Sequence, residues 1–144
     1  MRRIGLAVLL LLGSVMTAHA GQPPVSVSDA RVRWLPGDLP MAGYFVIISY
    51  ASAPMRLVGA ASPAFGDIML HRSVDEEGVA SMAHVDKVEL YPGQAIAFAP
   101  GGYHLMLMNR TQELRAGEEV PVTLRFDDGQ TLTVRFRVVG AQGE

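Results

Sequence analysis

Apolar and polar residues alternate along most of the chain after residue 20, and helical periodicity is nearly absent. Alternation with a period of two is typical of strands that have one buried face. Residues 43–50 form a continuous apolar run instead, as expected for a strand that is buried on both faces. A helical turn is expected only at residues 111–116. The runs predict seven to nine short strands, drawn from residues 25–32, 43–50, 57–60, 68–73, 79–85, 88–90, 95–98, 103–108, 120–126 and 131–138.

Short strands at this spacing, separated by Pro, Gly and Asp turns, predict an all-β fold, either a sandwich or a small barrel. Within residues 21–144 we find no internal repeat, linker or low-complexity segment, which favours one domain. No apolar run after the leader is long enough for a membrane helix, so no membrane insertion is expected.

The first twenty residues have the pattern of a secretory signal peptide. Arg2 and Arg3 precede a short apolar run at residues 4–12, and Ala18-His19-Ala20 resembles a cleavage site. We therefore expect residues 1–20 to be removed and residues 21–144 to form the mature, periplasmic domain. No lipobox cysteine is present, so a lipid anchor is not expected.

Charge and cysteine content exclude several functions. The chain has 12 Lys and Arg; without Arg2 and Arg3, ten remain against 14 acidic residues, a formal charge of −4. This charge argues against binding nucleic acid. The complete absence of cysteine excludes a blue-copper centre, a thiolate zinc site and thiol–disulfide exchange.

The candidate chemistry lies in the histidines and methionines. Each histidine after residue 20 has a methionine two positions away, and such a coincidence arises by chance on the order of once in a thousand cases. Thioether sulfur and imidazole nitrogen without thiols are a ligand set for monovalent copper. The pairs are Met69 with His71, Met82 with His84, and His104 with Met106.

Two local arguments place these residues. If residues 75–78 form a four-residue hairpin loop, His71 lies opposite Met82 and Met69 lies opposite His84, with directly opposed Cβ atoms about 5 Å apart. His104 and Met106 share a strand face because they are two residues apart, and Pro100-Gly101-Gly102 sets the start of their strand near a sheet end.

Other interpretations stay open at this point. A single histidine in a strand is more often a hydrogen-bonded structural residue, and a single methionine is more often core filler. Met108 is the weakest candidate, and a methionine-rich face could instead bind a protein. An enzyme is not expected, because the chain lacks a Gly-x-Ser-x-Gly motif and a phosphate-binding loop, and residues 75–77 are typical of a solvated hairpin tip.

The spacing of His71, Met82, His104 and Met106 resembles that of the PCuAC-type periplasmic copper chaperones. The resemblance includes residues 42–45, Gly78-Val79, residues 100–108 and the hairpin after Gly117, and it covers nearly the whole mature chain.

This resemblance implies a cupredoxin-like Greek-key β-sandwich or barrel in which those four residues bind Cu(I) near the surface. It implies delivery of copper to the binuclear copper site of cytochrome c oxidase, often alongside a Sco-type protein, or else scavenging that feeds copper import. A monomer is expected. The chain ends without a His- and Met-rich extension, so the second, Cu(II) site of some relatives is not expected.

Overall fold

The computed structural model describes residues 21–142, so the predicted signal peptide lies outside the described residues. No helix occurs in this part of the chain, and accordingly none there could span a membrane. The ten strands are β1 (Val25–Arg33), β2 (Met41–Ser49), β3 (Met55–Ala61), β4 (Phe65–Glu76), β5 (Val79–His84), β6 (Val88–Leu90), β7 (Ala95–Phe98), β8 (Tyr103–Arg110), β9 (Glu119–Phe126) and β10 (Thr131–Val139).

The strands form one hydrogen-bonded sheet in the order β5-β4-β8-β7-β2-β1-β10-β9-β3-β6, with β8 also paired to β2. Most neighbours are antiparallel, while β1 runs parallel to β10. The prediction of a single all-β domain is confirmed. The helical turn expected at residues 111–116 is wrong, because this segment is an irregular loop whose Thr111 N–H donates to the Ala64 carbonyl.

One continuous apolar core lies beneath the sheet and draws on nearly every strand. Phe45 and Phe98 stack with ring centroids 4.2 Å apart, and Phe136 meets Phe45 edge-on at 5.7 Å. On β8, Leu105 and Leu107 are fully buried in this core. Residues 104 and 106 of the same strand therefore lie on its opposite face.

Strand β2 holds β8 in place by an unusually close approach. β7 and β8 lie one after the other along β2, separated by the loop at residues 99–102. Gly43 is opposite Leu105, and a Cβ at position 43 would lie 3.1 Å from the Leu105 Cβ. The missing side chain lets β2 pack tightly against the start of β8, which fixes the position of residues 104–106.

The β4–β5 hairpin differs from the predicted one in its register. Its loop has two residues, Glu77 and Gly78, both with positive φ (55° and 81°), which is the geometry of a type I′ turn. Consequently His71 lies opposite His84, and Met82 lies opposite Ser73. The predicted pairs of His71 with Met82 and of Met69 with His84 are wrong by two positions, because Glu76 pairs with Val79 and belongs to the ladder.

Candidate metal centre

Three adjacent strands align the histidines of the described chain in one row. His71 on β4 lies between His104 on β8 and His84 on β5, in direct cross-strand register with both. The next row contains Met69 opposite Met106. Directly paired residues share a sheet face, so all of these side chains lie on the face of β8 that points away from Leu105 and Leu107.

His71 and His104 form the centre of this group. Their ring centroids are 5.8 Å apart, with the ring planes tilted by 59°. Two imidazoles that share one metal ion through nitrogens about 2 Å from it have centroids roughly 5–6 Å apart. The observed separation therefore lies within the range expected for two imidazoles that share one ion.

The hydrogen bonds of these two rings leave nitrogens directed at no protein group. His104 Nδ1 donates to the carbonyl of Gly102 at 3.3 Å, and a carbonyl can only accept, so the neutral ring carries its lone pair on Nε2. That Nε2 and His71 Nδ1 are both buried, and neither has a hydrogen-bond partner within residues 21–142. Buried polar atoms are normally satisfied, and a metal ion would satisfy both.

The methionines complete the donor set around a shallow pocket. Met82, His104 and Met106 all line this pocket, whose volume is about 240 Å³. Met82 reaches it from β5 because its pairing with Ser73 brings it one row beyond His71. Met106 is half-buried, whereas Met82 is 59% exposed.

The protonation of His71 favours metal binding. Burial lowers the pKa of His71 below its ordinary 6.5, and the nearby His104 and His84 rings lower it further. The folded protein therefore holds this ring neutral to more acidic pH than a free histidine. The neutral imidazole is the form that coordinates a metal.

The remaining candidates lie at the margin of the group. His84 is stacked edge-on to His71 at 5.9 Å, but its side chain is 56% exposed and its Nε2 lies 3.2 Å from an Asp86 carboxylate oxygen. Met69 is 37% exposed beside Met106, and Met108 lies opposite Asp67, further along β8. None of these three lines the pocket that Met82, His104 and Met106 share. His71 does not line it either, and its link to the group is its cross-strand pairing with His104 and the short distance between the two rings.

Sequence reasoning missed the opposite wall of this pocket. Ala42 pairs with Met106 across the β2–β8 ladder, and Tyr44 follows two residues later on the same face. Arg33 on β1 pairs with Ala42 and also lines the pocket. Residues 42 and 44 are two positions apart, which indicates that their side chains lie on one face of the strand. Only the order of the strands in the sheet shows that His104 lies on this same face.

The donor set selects the kind of ion that fits. Among residues 21–142 no group of three or more His, Asp or Glu side chains is positioned to hold one metal ion together. Two imidazole nitrogens and two thioether sulfurs within one face suit a soft monovalent ion. The neutral ligands and the open side at Met82 would also allow the ion to be exchanged.

The fold matches that of solved copper-binding domains. The structure "Copper-bound PCuAC domain from PmoF2" superimposes with a TM-score of 0.70 at 22% identity, over 83% of this chain and 96% of that one. "Solution structure of CuI-DR1885 from Deinococcus Radiodurans" has a TM-score of 0.66 at 31% identity, over 87% of this chain and 85% of that one. The chain therefore has the PCuAC-type domain fold, and the resemblance found in the sequence is confirmed.

The sequence relatives define the family. Residues 25–138 match the family described as "Putative lipoprotein LpqE-like". A protein of Leifsonia xyli subsp. xyli with a lipoprotein name, Lxx21020, is 35% identical over 92% of this chain and 80% of its own length. The uncharacterized protein RP573 of Rickettsia prowazekii is 34% identical over 67% of this chain and 54% of its own length. The chain belongs to the LpqE-like family of PCuAC-type proteins.

Proposed function

We propose that this protein is a periplasmic Cu(I) carrier that binds one copper ion through His71, Met82, His104 and Met106. The observation that carries the proposal is the pair of imidazoles 5.8 Å apart, each with a buried ring nitrogen that lacks a partner. The two methionines on the same face supply the soft donors that such a pair needs for monovalent copper. The solution structure of the Cu(I) form of DR1885 from Deinococcus radiodurans supports the same ion.

The chemistry of the site suits a carrier better than a catalyst. All four proposed ligands are neutral, so the grip on copper is weaker than that of a thiolate site. Met82 closes the site from an exposed edge strand, where a competing ligand can replace it. The proposed role is transfer of Cu(I) by ligand exchange, with no chemical change to the ion.

The proposed recipient is the binuclear copper site of cytochrome c oxidase, with a Sco-type protein as a second partner. This step rests on the PCuAC resemblance. The alternative to delivery is a scavenging role, in which the protein collects copper that is then imported. A transfer assay from the Cu(I)-loaded protein to the soluble copper-binding domain of the oxidase separates them, because a scavenger would not pass copper to that domain faster than free exchange allows.

Titration with Cu(I) against a competing chelator tests the ligand set. The double variant Met82→Ala/Met106→Ala should lose affinity by roughly 100-fold or more, equivalent to at least ~2.7 kcal/mol. Met108→Ala is the matched control, since it removes a methionine from the same strand and face outside the pocket, and it should bind like the parent. Equal affinity of the double variant and the parent would overturn the assignment.

A methionine-rich protein-binding face is the second candidate, and the exposure of Met69 and Met82 favours it. Thermal melts with and without Cu(I) distinguish the two functions. A ligand that binds only the folded state must raise the melting temperature, so a carrier gains stability from copper and an interaction module does not.

A further inference from the structure

Two arginines form a positively charged site beside the pocket that Met82, His104 and Met106 line, which we call the copper pocket. Arg31 and Arg33 are two residues apart on β1, and their guanidinium carbons lie 5.6 Å and 5.9 Å from the centre of the Tyr44 ring. Neither arginine pairs with an acidic side chain of residues 21–142. Arg33 Nε is buried and has no acceptor there, and Arg31 Nη1 donates only to the backbone carbonyl of Asp29, at 3.4 Å.

The surrounding charges add to this field. Arg137 on β10 lies opposite Arg31 in the parallel β1–β10 ladder and is exposed. The next residue across the sheet is Glu119, whose carboxylate lies 3.8 Å from Arg135. Within residues 21–142, the guanidinium groups of Arg31 and Arg33 thus carry positive charge that no acidic side chain pairs with.

These arginines line a concave surface that continues into the copper pocket. A second pocket of about 390 Å³ is lined by Arg31, Arg33, Tyr44 and Pro100, with Val139, Ala141 and Gln142 as the remaining wall. Arg33, Tyr44 and Pro100 line both pockets. A molecule that enters one pocket therefore lies against the rim of the other.

The donor geometry indicates the class of ligand. A guanidinium offers a planar fork of N–H groups that matches a carboxylate, and stacking over an aromatic ring restricts its motion before the ligand arrives. Apolar groups from Val139, Ala141 and Pro100 can contact the methylene groups of an acidic side chain, whereas a small inorganic anion would leave them unused.

We propose that Arg31 and Arg33 bind a carboxylate, and that the carboxylate is an acidic side chain of the protein that exchanges copper with this one. The second half rests on the proposed copper-carrier function. A protein that approaches Met82, His104 and Met106 must cover the shared wall formed by Arg33, Tyr44 and Pro100. The arginine site would hold that protein in the orientation needed for ligand exchange.

The carboxylate half is tested on the metal-free protein by NMR titration with an N-acetylated tetraglutamate amide. We expect saturable amide shifts at residues 31–33 and 44, and roughly tenfold weaker binding by Arg31→Gln/Arg33→Gln. Arg125→Gln removes the same charge from a distant pocket and should bind the peptide like the parent. The dispersion of the amide spectrum reports whether each variant is folded.

Several results would overturn this half. Undiminished binding by the double variant excludes the arginines as the site. Equal affinity for a tetraglutamine peptide excludes recognition of charge. Inorganic phosphate that produces the same shifts with the same affinity would indicate a general small-anion site.

The docking half is tested by the rate of Cu(I) transfer to the soluble copper-binding domain of cytochrome c oxidase. Arg31 does not line the copper pocket, so Arg31→Gln should keep the parent's Cu(I) affinity and lose roughly tenfold in transfer rate at low salt. An unchanged transfer rate would overturn docking. If the parent itself fails to bind Cu(I), the carrier function fails, while the peptide titration still decides the carboxylate site.

Discussion

The two strands that flank His71 contribute to the same candidate site in very different ways. β8 lies in the interior of the sheet, paired with β4 and β2, and its His104 is only 4% exposed. β5 is an edge strand on which every residue is exposed, and within residues 21–142 it pairs with β4 alone. The half of the site on β8 is therefore fixed by the core, while the half on β5 depends on one hairpin.

From this difference we expect β8 and β5 to have different roles in copper exchange. Ligands that are held in place before the ion arrives cost little conformational entropy on binding, and His104 and Met106 satisfy that condition. Met82 is held only by the hairpin, so we expect its sulfur to be the first donor that a competing ligand replaces.

The largest expected effect concerns the core that supports β8. Leu105→Ala leaves a cavity beneath His104 and should lower the free energy of unfolding by about 2–5 kcal/mol. Val79→Ala on β5 removes a side chain that is 66% exposed and should change it by less than about 0.5 kcal/mol. Urea denaturation measures both, and similar losses would contradict the assignment of stability to the β8 side.

The next effect compares the two histidines that flank His71. His104→Ala should weaken Cu(I) binding by roughly 100-fold or more, because it removes a buried, oriented nitrogen. His84→Ala removes an exposed ring that interacts with Asp86 and should weaken binding by no more than about threefold. Chelator competition measures both, and an effect of His84→Ala as large as that of His104→Ala would assign His84 to the ligand set.

A smaller effect concerns the turn that holds Met82. Gly78 has a φ of +81°, and a Cβ there would meet no atom, so Gly78→Ala introduces backbone strain alone, about 1 kcal/mol. Gly93→Ala (φ +74°) introduces the same strain in the β6–β7 loop. Both should lower the melting temperature, and only Gly78→Ala should also weaken Cu(I) binding, by a few-fold. Equal Cu(I) affinities would show that the hairpin does not position Met82.

The smallest effect concerns the ion pairs that Arg56 forms with Glu89 and Asp127, outside the candidate site. Hydrogen bonding to Arg56 lowers the pKa of Asp127 below its ordinary 3.8, and hydrogen bonds from Tyr91 and then Arg56 lower the pKa of Glu89 below 4.5. Both carboxylates therefore stabilise the fold above their ordinary pKa values, and this contribution is lost as the pH falls through the lowered ones.

Melting temperatures of the metal-free protein should accordingly fall slightly below about pH 4.5, and the fall should be smaller in Arg56→Gln. The groups are exposed, so the shift is small and should diminish in high salt. An acid response that is identical in Arg56→Gln would show that this cluster does not contribute.

Much of the fold followed from local pattern. The sequence pattern located three strands correctly: β1 and β8 from their alternation, and β2 from its continuous apolar run. This was possible because burial of one or both faces of a strand determines which consecutive residues are apolar. The hairpin register did not follow, because Glu77 occupies a positive-φ position where Asn or Asp is the usual signal. That single turn residue moved the partner of His71 from Met82 to His84.

The candidate site was predictable only in part for a similar reason. Same-face spacing brought together His104 with Met106 within one strand, and Met69 with His71 within another. Whether those two strands are neighbours is a property of the sheet order, to which local sequence gives no access. Arg33 and Tyr44 were missed because neither arginine nor tyrosine is a residue type that the copper-ligand pattern includes, and both reach the pocket from strands distant in sequence from the histidines.

Side chains alternate between the two faces of a strand, and this limits which changes of strand register the site can tolerate in evolution. Shifting the β4–β5 ladder by two residues keeps position 82 on the same face as His71, whereas a shift by one would turn it to the other face. Shifts of this register should therefore survive in related genes only in steps of two residues. The proposed ligands on β8 have no such freedom, because the strands before and after the loop at residues 99–102 both pair with β2, and the spacing of His104 and Met106 in related chains should be invariant.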